Sequence, residues 1–158
     1  MMRIALFLAF LLVALGYAAW RGGAPERVMA AIALAIVTAD GLLHLLMPVQ
    51  LAALDAGHLT IDLFGAGSTT LLALCAYRFW PMCAAVLHIL PILGHTSRLL
   101  DVTLHPAAYL MMQVAASWLV PPLLILATWR HQRRLRRYGS DRAWHSSLRR
   151  LILPMPRS

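Results

Sequence analysis

Long apolar runs alternate along this chain with short breaks that are polar or contain proline. A helix that crosses a bilayer needs about 20 mostly apolar residues, and five runs approach that length. They cover residues 3–20, 28–47, 58–77, 80–97 and 106–129. The pattern therefore predicts an all-α fold, a polytopic transmembrane helical bundle with five spans.

The breaks contain the residues expected at helix ends. "RGGAPER", residues 21–27, joins two glycines to Pro25 and predicts a turn, and Pro48 ends the second run. "RFWP", residues 78–81, is a tight connection, and Pro106 suits the first turn of a helix, where proline costs no hydrogen bond. Aromatic rings that prefer the membrane interface stand at the proposed helix ends, at Trp20, Tyr77, Trp80 and Trp129.

Composition supports a membrane location, and charge orients the bundle. Hydrophobic residues make up 61% of the 158 residues, against roughly 45–50% in soluble domains, and the mean hydropathy is +0.71. All 14 basic residues are arginines, and most of them follow residue 129. Positive segments beside spans stay cytoplasmic, so the N-terminus is predicted to be periplasmic and the C-terminus cytoplasmic in a bacterial inner membrane. Residues 1–130 would form the bundle, and 131–158 a basic cytoplasmic tail.

The first run has a second interpretation as a signal peptide. "GYA", residues 16–18, has the small residues of a cleavage site. Cleavage would leave four spans and export the basic tail. Residues 1–19 are therefore predicted to remain as the first span.

The basic tail has an amphipathic pattern. Apolar residues recur at helical spacing from Asp141 onward, with Ser140 as an N-cap and arginines between them: Trp144, Leu148, Leu151 and Ile152. This pattern predicts a helix on the inner leaflet, bound to anionic lipids. Nucleic acid is not predicted as a partner, because basic residues beside a span are the ordinary topology signal.

Ionisable residues inside the apolar runs are the candidate site. Asp40 with His44, and His58 with Asp62, are spaced i,i+4 and share a helix face. Helix direction and a rise of about 1.5 Å per residue bring them to the periplasmic level of His95 and Arg98. Ionisable groups in spans rarely face lipid, so these six side chains are predicted to converge inside the bundle. Three further candidates lie near them: His88, Asp101 and His105.

Four chemistries fit these residues. Imidazole and carboxylate are ligands for zinc and related divalent ions, and the same groups can relay protons. They can also form a polar knot that only joins the helices. Haem is a further alternative, with axial ligands among His44, His88 and His95. The sequence has no HExxH or CxxC motif to choose among them.

Several short motifs together mark a resemblance. They are "WRGGAPER", "RFWP", the "GH" thirteen residues beyond Pro81, Asp101 and the "AY" at 108–109. Over about two thirds of the chain these resemble a group of small bacterial inner-membrane proteins with no assigned function. The resemblance implies a polytopic membrane protein and carries no catalytic residue.

Two classes of function follow. One is an accessory or binding subunit, in a larger membrane assembly or a homo-oligomer, with a His/Asp cluster near its periplasmic side. The other is a membrane-embedded site protein that uses the cluster for divalent metal or proton chemistry, as a metal-dependent hydrolase or a transporter-like protein would. The sequence leaves open whether the protein is an enzyme.

Overall fold

The computed structural model describes residues 2–46, 56–100 and 106–145. These residues form five helices: α1 (Met2–Arg21), α2 (Ala24–Leu46), α3 (Ala56–Cys75), α4 (Trp80–Leu99) and α5 (Pro106–Tyr138). Each helix corresponds to one of the apolar runs. The prediction of an all-α fold is therefore confirmed for the described residues.

Three of these helices are long and apolar enough to cross a membrane. They are Ile4–Arg21 within α1, Ala24–Leu46 and Ala56–Cys75. Large apolar side chains such as Leu12, Leu71 and Val86 are more than half exposed on the outside of the bundle, as lipid contact requires. A membrane protein with three candidate spans is thus supported on length and composition.

The core is drawn from all five helices and depends on small residues. Ala14, Ala18, Ala84 and Ala127 are at most 2% exposed, so neighbouring backbones can approach closely. Met29 and Leu124 are the largest apolar side chains that are fully buried. The bundle therefore packs tightly in its centre and presents its larger apolar residues outward.

Two helix boundaries differ from the prediction by more than two residues. Helix α2 begins at Ala24 rather than at residue 28, because Pro25 takes a position in the first helical turn, where it loses no hydrogen bond. The turn before it depends on Gly22, where any Cβ would collide with the carbonyl oxygen of Ala18. Helix α5 continues past Trp129 and ends at Tyr138. The next residue, Gly139, terminates it with a φ of 69°, a conformation that glycine adopts without strain. The predicted boundary at residue 130 thus falls inside one continuous helix.

The predicted tail helix is wrong over the part of the tail that is described. Residues 141–145 are not helical, and Trp144 forms an isolated antiparallel bridge with Ala76, just after α3. The amide of Tyr77 donates to the carbonyl of Ala143 at 3.0 Å, and the amide of His145 donates to that of Cys75 at 3.1 Å. Trp144 is partly buried and packs against the core. The other three predicted membrane-surface residues lie outside the described residues: Leu148, Leu151 and Ile152.

The bundle has two ends of opposite character. At one end α2 ends and α3 begins, and we call it the histidine end. At the other, α1 turns into α2, α3 turns into α4, and α5 extends beyond them; we call it the arginine end. Arg21, Arg27 and Arg78 lie at this second end together with the arginines of the last turns of α5.

Candidate functional site

Three of the predicted residues meet at the histidine end, and we call Asp40, His44 and His58 the His/Asp cluster. One potential ligand atom from each lies within 4.8 Å of the other two. Asp40 Oδ1 is 3.4 Å from His58 Nε2, and Asp40 Oδ2 is 3.7 Å from His44 Nδ1. The two imidazole rings meet edge to face, with 5.1 Å between centroids. Three of the six side chains that were predicted to converge therefore meet here, two from α2 and one from α3.

The tautomer of His44 is set by its own helix. Its Nδ1 lies 2.8 Å from the carbonyl oxygen of Asp40. Because a carbonyl only accepts, Nδ1 donates, and the neutral ring then keeps a lone pair on Nε2. Metal-binding histidines use this arrangement, in which one ring nitrogen donates to a backbone carbonyl and the other is left to bind.

One turn deeper, α3 and α4 are joined by a second pair. His95 Nε2 lies 3.0 Å from Asp62 Oδ2, and His95 is only 4% exposed. The prediction that His95 and Asp62 lie together inside the bundle is confirmed by this contact. Asp62 lies one helical turn from His58, so the His/Asp cluster and this pair are neighbours along α3.

A cavity of about 240 Å³ connects the two groups to the middle of the bundle. Its ionisable lining comes from three helices: Asp40, His58, Asp62 and His88. His88 has the same tautomer as His44, because its Nδ1 donates to the carbonyl of Ala84 at 2.8 Å. Its ring lies against Gly65, where a Cβ would come within 2.9 Å of His88 Cδ2. The absence of a side chain at Gly65 thus makes room for an imidazole.

Three other predicted residues cannot be placed. Asp101 and His105 lie outside the described residues, and so does the side chain of Arg98. The predicted place of Arg98 inside the bundle therefore stays a prediction.

Among the described residues, the largest group of buried charges lies at the arginine end, and sequence reasoning missed it. We call Glu26, Arg78, His131, Arg134 and Asp141 the ionic network. Arg78 Nη1 donates to Glu26 Oε1, which also accepts from Trp80 Nε1 at 3.1 Å. Arg78 Nη2 lies 2.8 Å from Asp141 Oδ2. Glu26 is fully buried, and the side chain of Arg78 is 3% exposed.

Asp141 closes this network from the tail. Its Oδ2 accepts from His131 Nδ1 at 2.6 Å, and its Oδ1 accepts from Arg134 Nε at 2.9 Å. Burial alone would raise the pKa of Asp141. The hydrogen bonds from His131 and Arg134 and the charge of Arg78 outweigh burial, so the pKa lies below its ordinary value. Asp141 therefore remains a carboxylate that holds the tail to α5 and to the turn between α3 and α4.

The sequence did contain a signal for the network. Glu26 is the only glutamate in the chain, and it stands in an otherwise apolar and basic segment. The arginines were interpreted only as a topology signal, and Asp141 only as the start of a tail helix. A search for a partner for each isolated acid would have paired them.

Comparisons with known proteins add no identity. No protein-family model, no curated protein and no solved structure matches the chain. Function is therefore inferred from the geometry of the chain itself.

Proposed function

We propose that the protein is a small membrane-embedded binding protein, acting alone or as an accessory subunit, whose His/Asp cluster binds a divalent transition-metal ion of the zinc class. The observation that carries this proposal is the convergence of Asp40, His44 and His58 within 4.8 Å. Neutral imidazole nitrogen and carboxylate oxygen are standard zinc donors. Three protein ligands leave one tetrahedral position open, as in sites that exchange a ligand.

The spacing needs little adjustment to suit a metal. Ligands at about 2.0–2.1 Å from a tetrahedral ion are roughly 3.3–3.5 Å apart. Asp40 Oδ1 and His58 Nε2 already lie at that separation, 3.4 Å. His44 would complete the set by a rotation of its side chain, which is 44% exposed and has room to move.

The position of the His/Asp cluster also favours ligand binding over a purely structural role in joining the helices. The His/Asp cluster lies at the ends of α2 and α3, and the side chains of Asp40 and His44 are nearly half exposed. An ion therefore has a direct path to it. We further propose that all five helices span a bacterial inner membrane. The arginine distribution favours a cytoplasmic basic end, and the cluster then opens to the periplasm.

A proton relay is the second candidate, and the Asp62–His95 pair favours it. This pair and the cavity continue the line of carboxylates and imidazoles from the surface toward His88. Alternating groups of this kind mark proton pathways in membrane proteins. Haem is disfavoured, because the cavity of about 240 Å³ is smaller than pockets for drug-sized ligands, roughly 300–1,000 Å³.

Metal titration tests the first candidate. Purified protein in detergent is titrated with Zn²⁺ by calorimetry and with Co²⁺ by visible absorption, which reports a four-coordinate site. We expect one ion per chain, and at least about ten-fold weaker binding in Asp40→Asn, His44→Ala and His58→Ala, since each removes a ligand. His145→Ala, which removes an exposed histidine at the arginine end, is the matched control. No binding by the wild type, or an equal loss in the control, would contradict a metal site.

Asp62→Asn separates the two candidates. In a metal site Asp62 is not a ligand, so zinc affinity should change little. In a relay the carboxylate is required, and proton flux into liposomes that contain a pH-sensitive dye should be lost. Flux that persists in this variant would exclude the relay through Asp62.

A further inference from the structure

At the arginine end, the difference in length between α1 and α5 creates a pocket. Helix α1 stops at Arg21, whereas α5 continues to Tyr138. The extra turns of α5 form a wall above the end of α1, and the space between them measures about 310 Å³. Its lining is mainly aromatic and basic and includes Trp20, Arg21, Trp129, Gln132, Arg133 and Arg136.

The three arginines of this pocket have no acidic partner among the described residues. Two of the four described acidic residues, Glu26 and Asp141, belong to the ionic network. The other two, Asp40 and Asp62, lie toward the histidine end. The pocket therefore concentrates three positive charges that the described chain does not balance.

Aromatic rings hold two of these arginines in place. The guanidinium of Arg21 lies 4.5 Å from the centre of the Trp20 ring, and that of Arg133 lies 4.8 Å from the Trp129 ring. Stacking orients the planar guanidinium and leaves its N–H groups available for another acceptor. Gln132 donates to the carbonyl oxygen of Arg21, which satisfies one carbonyl at the C-terminus of α1 that would otherwise repel an anion.

We propose that this pocket binds the phosphate headgroup of an anionic phospholipid. A candidate span ends at Arg21, so the pocket stands at the level where headgroups lie. Tryptophan favours that level, and arginine binds phosphate through paired N–H groups. Basic pockets between helices at the membrane surface have this use. The site is independent of the His/Asp cluster, which lies at the other end.

Two triple variants of equal charge test the site. The pocket variant carries Arg21→Gln, Arg133→Gln and Arg136→Gln. The control carries Arg27→Gln, Arg130→Gln and Arg137→Gln, which are exposed arginines outside the pocket lining. Binding of dioleoyl phosphatidylglycerol, and of dioleoyl phosphatidylcholine for comparison, is measured by native mass spectrometry of detergent-solubilised protein.

Each arginine near an anionic headgroup contributes about five-fold to affinity, so the pocket variant should bind phosphatidylglycerol on the order of a hundred-fold more weakly. The control should bind like the wild type, and phosphatidylcholine should bind weakly to all three. Equal weakening in both variants would indicate diffuse charge and overturn the proposal, as would no weakening in either. Millimolar inorganic phosphate that displaces the lipid would assign the pocket to free phosphate instead. Arg133→Gln alone repeats the test at about five-fold if the triple variant misfolds.

Discussion

The two ends of the bundle use the same kinds of side chain in opposite ways. At the histidine end the side chains of Asp40 and His44 are 45% and 44% exposed, and the side-chain separations in their cluster are 3.4 and 3.7 Å. In the ionic network Glu26 is fully buried, and Asp141 is held at 2.6–2.9 Å by three partners. Open, loosely spaced donors leave room for a ligand. Buried ions that are paired with one another hold elements together.

This difference favours ligand binding at the His/Asp cluster and stabilisation of the fold by the ionic network. Burying an ion is costly unless its partners remain, so removal of one member of a buried network leaves an uncompensated charge. Removing a half-exposed group at the histidine end leaves its partners in contact with water. The same substitution is therefore expected to have unequal effects at the two ends.

Arg78→Leu should have the largest effect. It leaves Glu26 buried without its main partner and should lower the free energy of unfolding by about 3–5 kcal/mol. Asp40→Asn should change it by less than about 1 kcal/mol, because exposed pairs contribute little. Denaturant unfolding in detergent micelles, followed by circular dichroism, gives both values.

Two further variants control this measurement. Arg27→Leu removes an exposed arginine one residue from Glu26 and should stay within about 0.5 kcal/mol of the wild type. Adding Glu26→Gln to Arg78→Leu removes both charges and should restore part of the stability. A loss below about 1 kcal/mol in Arg78→Leu would show that the network does not stabilise the fold.

Glycine substitutions at the two ends should have effects of intermediate size on stability, and they compare how tightly each end is packed. A Cβ at Gly23 would come within 2.9 Å of His131 Cε1 and 3.0 Å of Glu26 Oε2, inside the closed network. Gly23→Ala should therefore cost roughly 1–3 kcal/mol of stability. A Cβ at Gly65 meets the His88 ring at 2.9 Å, but that ring borders a cavity and can move. Gly65→Ala should cost less, as thermal unfolding can measure.

Gly16→Ala and Gly41→Ala are the controls for crowding. Neither position has an atom within 4 Å of an added Cβ, and both lie inside helices. Alanine there should raise stability by about 0.5–1 kcal/mol, through its higher helix propensity. If Gly65→Ala costs more than Gly23→Ala, the histidine end is the more tightly packed, and the contrast between the ends is reversed.

How far the sequence could predict these ends depends on the range of their contacts. Asp40 with His44, and His58 with Asp62, follow from the helical repeat alone. The contact of Asp62 with His95 follows from helix direction and depth, which long apolar runs define well. The five helices and most of the histidine end were therefore predictable.

The arginine end was not predictable by the same reasoning. Arg78 meets Glu26 across 52 residues and His131 across 53, and no periodic pattern links them. Trp144 lies at helical spacing from Leu148, yet contacts of the preceding Asp141 keep this segment non-helical. Ion pairs formed in the folded protein therefore outweighed the local amphipathic spacing of the tail. The partners of the buried acids were missed because the arginines were interpreted only as a topology signal.

Protonation of Asp141 in acid should release the tail from α5. Of the changes predicted for the two ends, this one should alter the stability of the whole fold least. The pKa of Asp141 is lower in the folded protein than its ordinary value of 3.8, so over this range the unfolded state binds more protons. The stabilising contribution is then fully present above that value and is lost as the pH falls through the folded pKa. Tail contacts should hold from neutral pH to about pH 4 and weaken below it.

Emission from Trp144, isolated by subtracting the spectrum of Trp144→Phe, should shift to longer wavelength as the tail detaches. Asp141→Asn should show the shifted emission already at neutral pH, without the acid transition. A transition centred well above pH 5 in the wild type, or one that persists in Asp141→Asn, would mean that another group holds the tail.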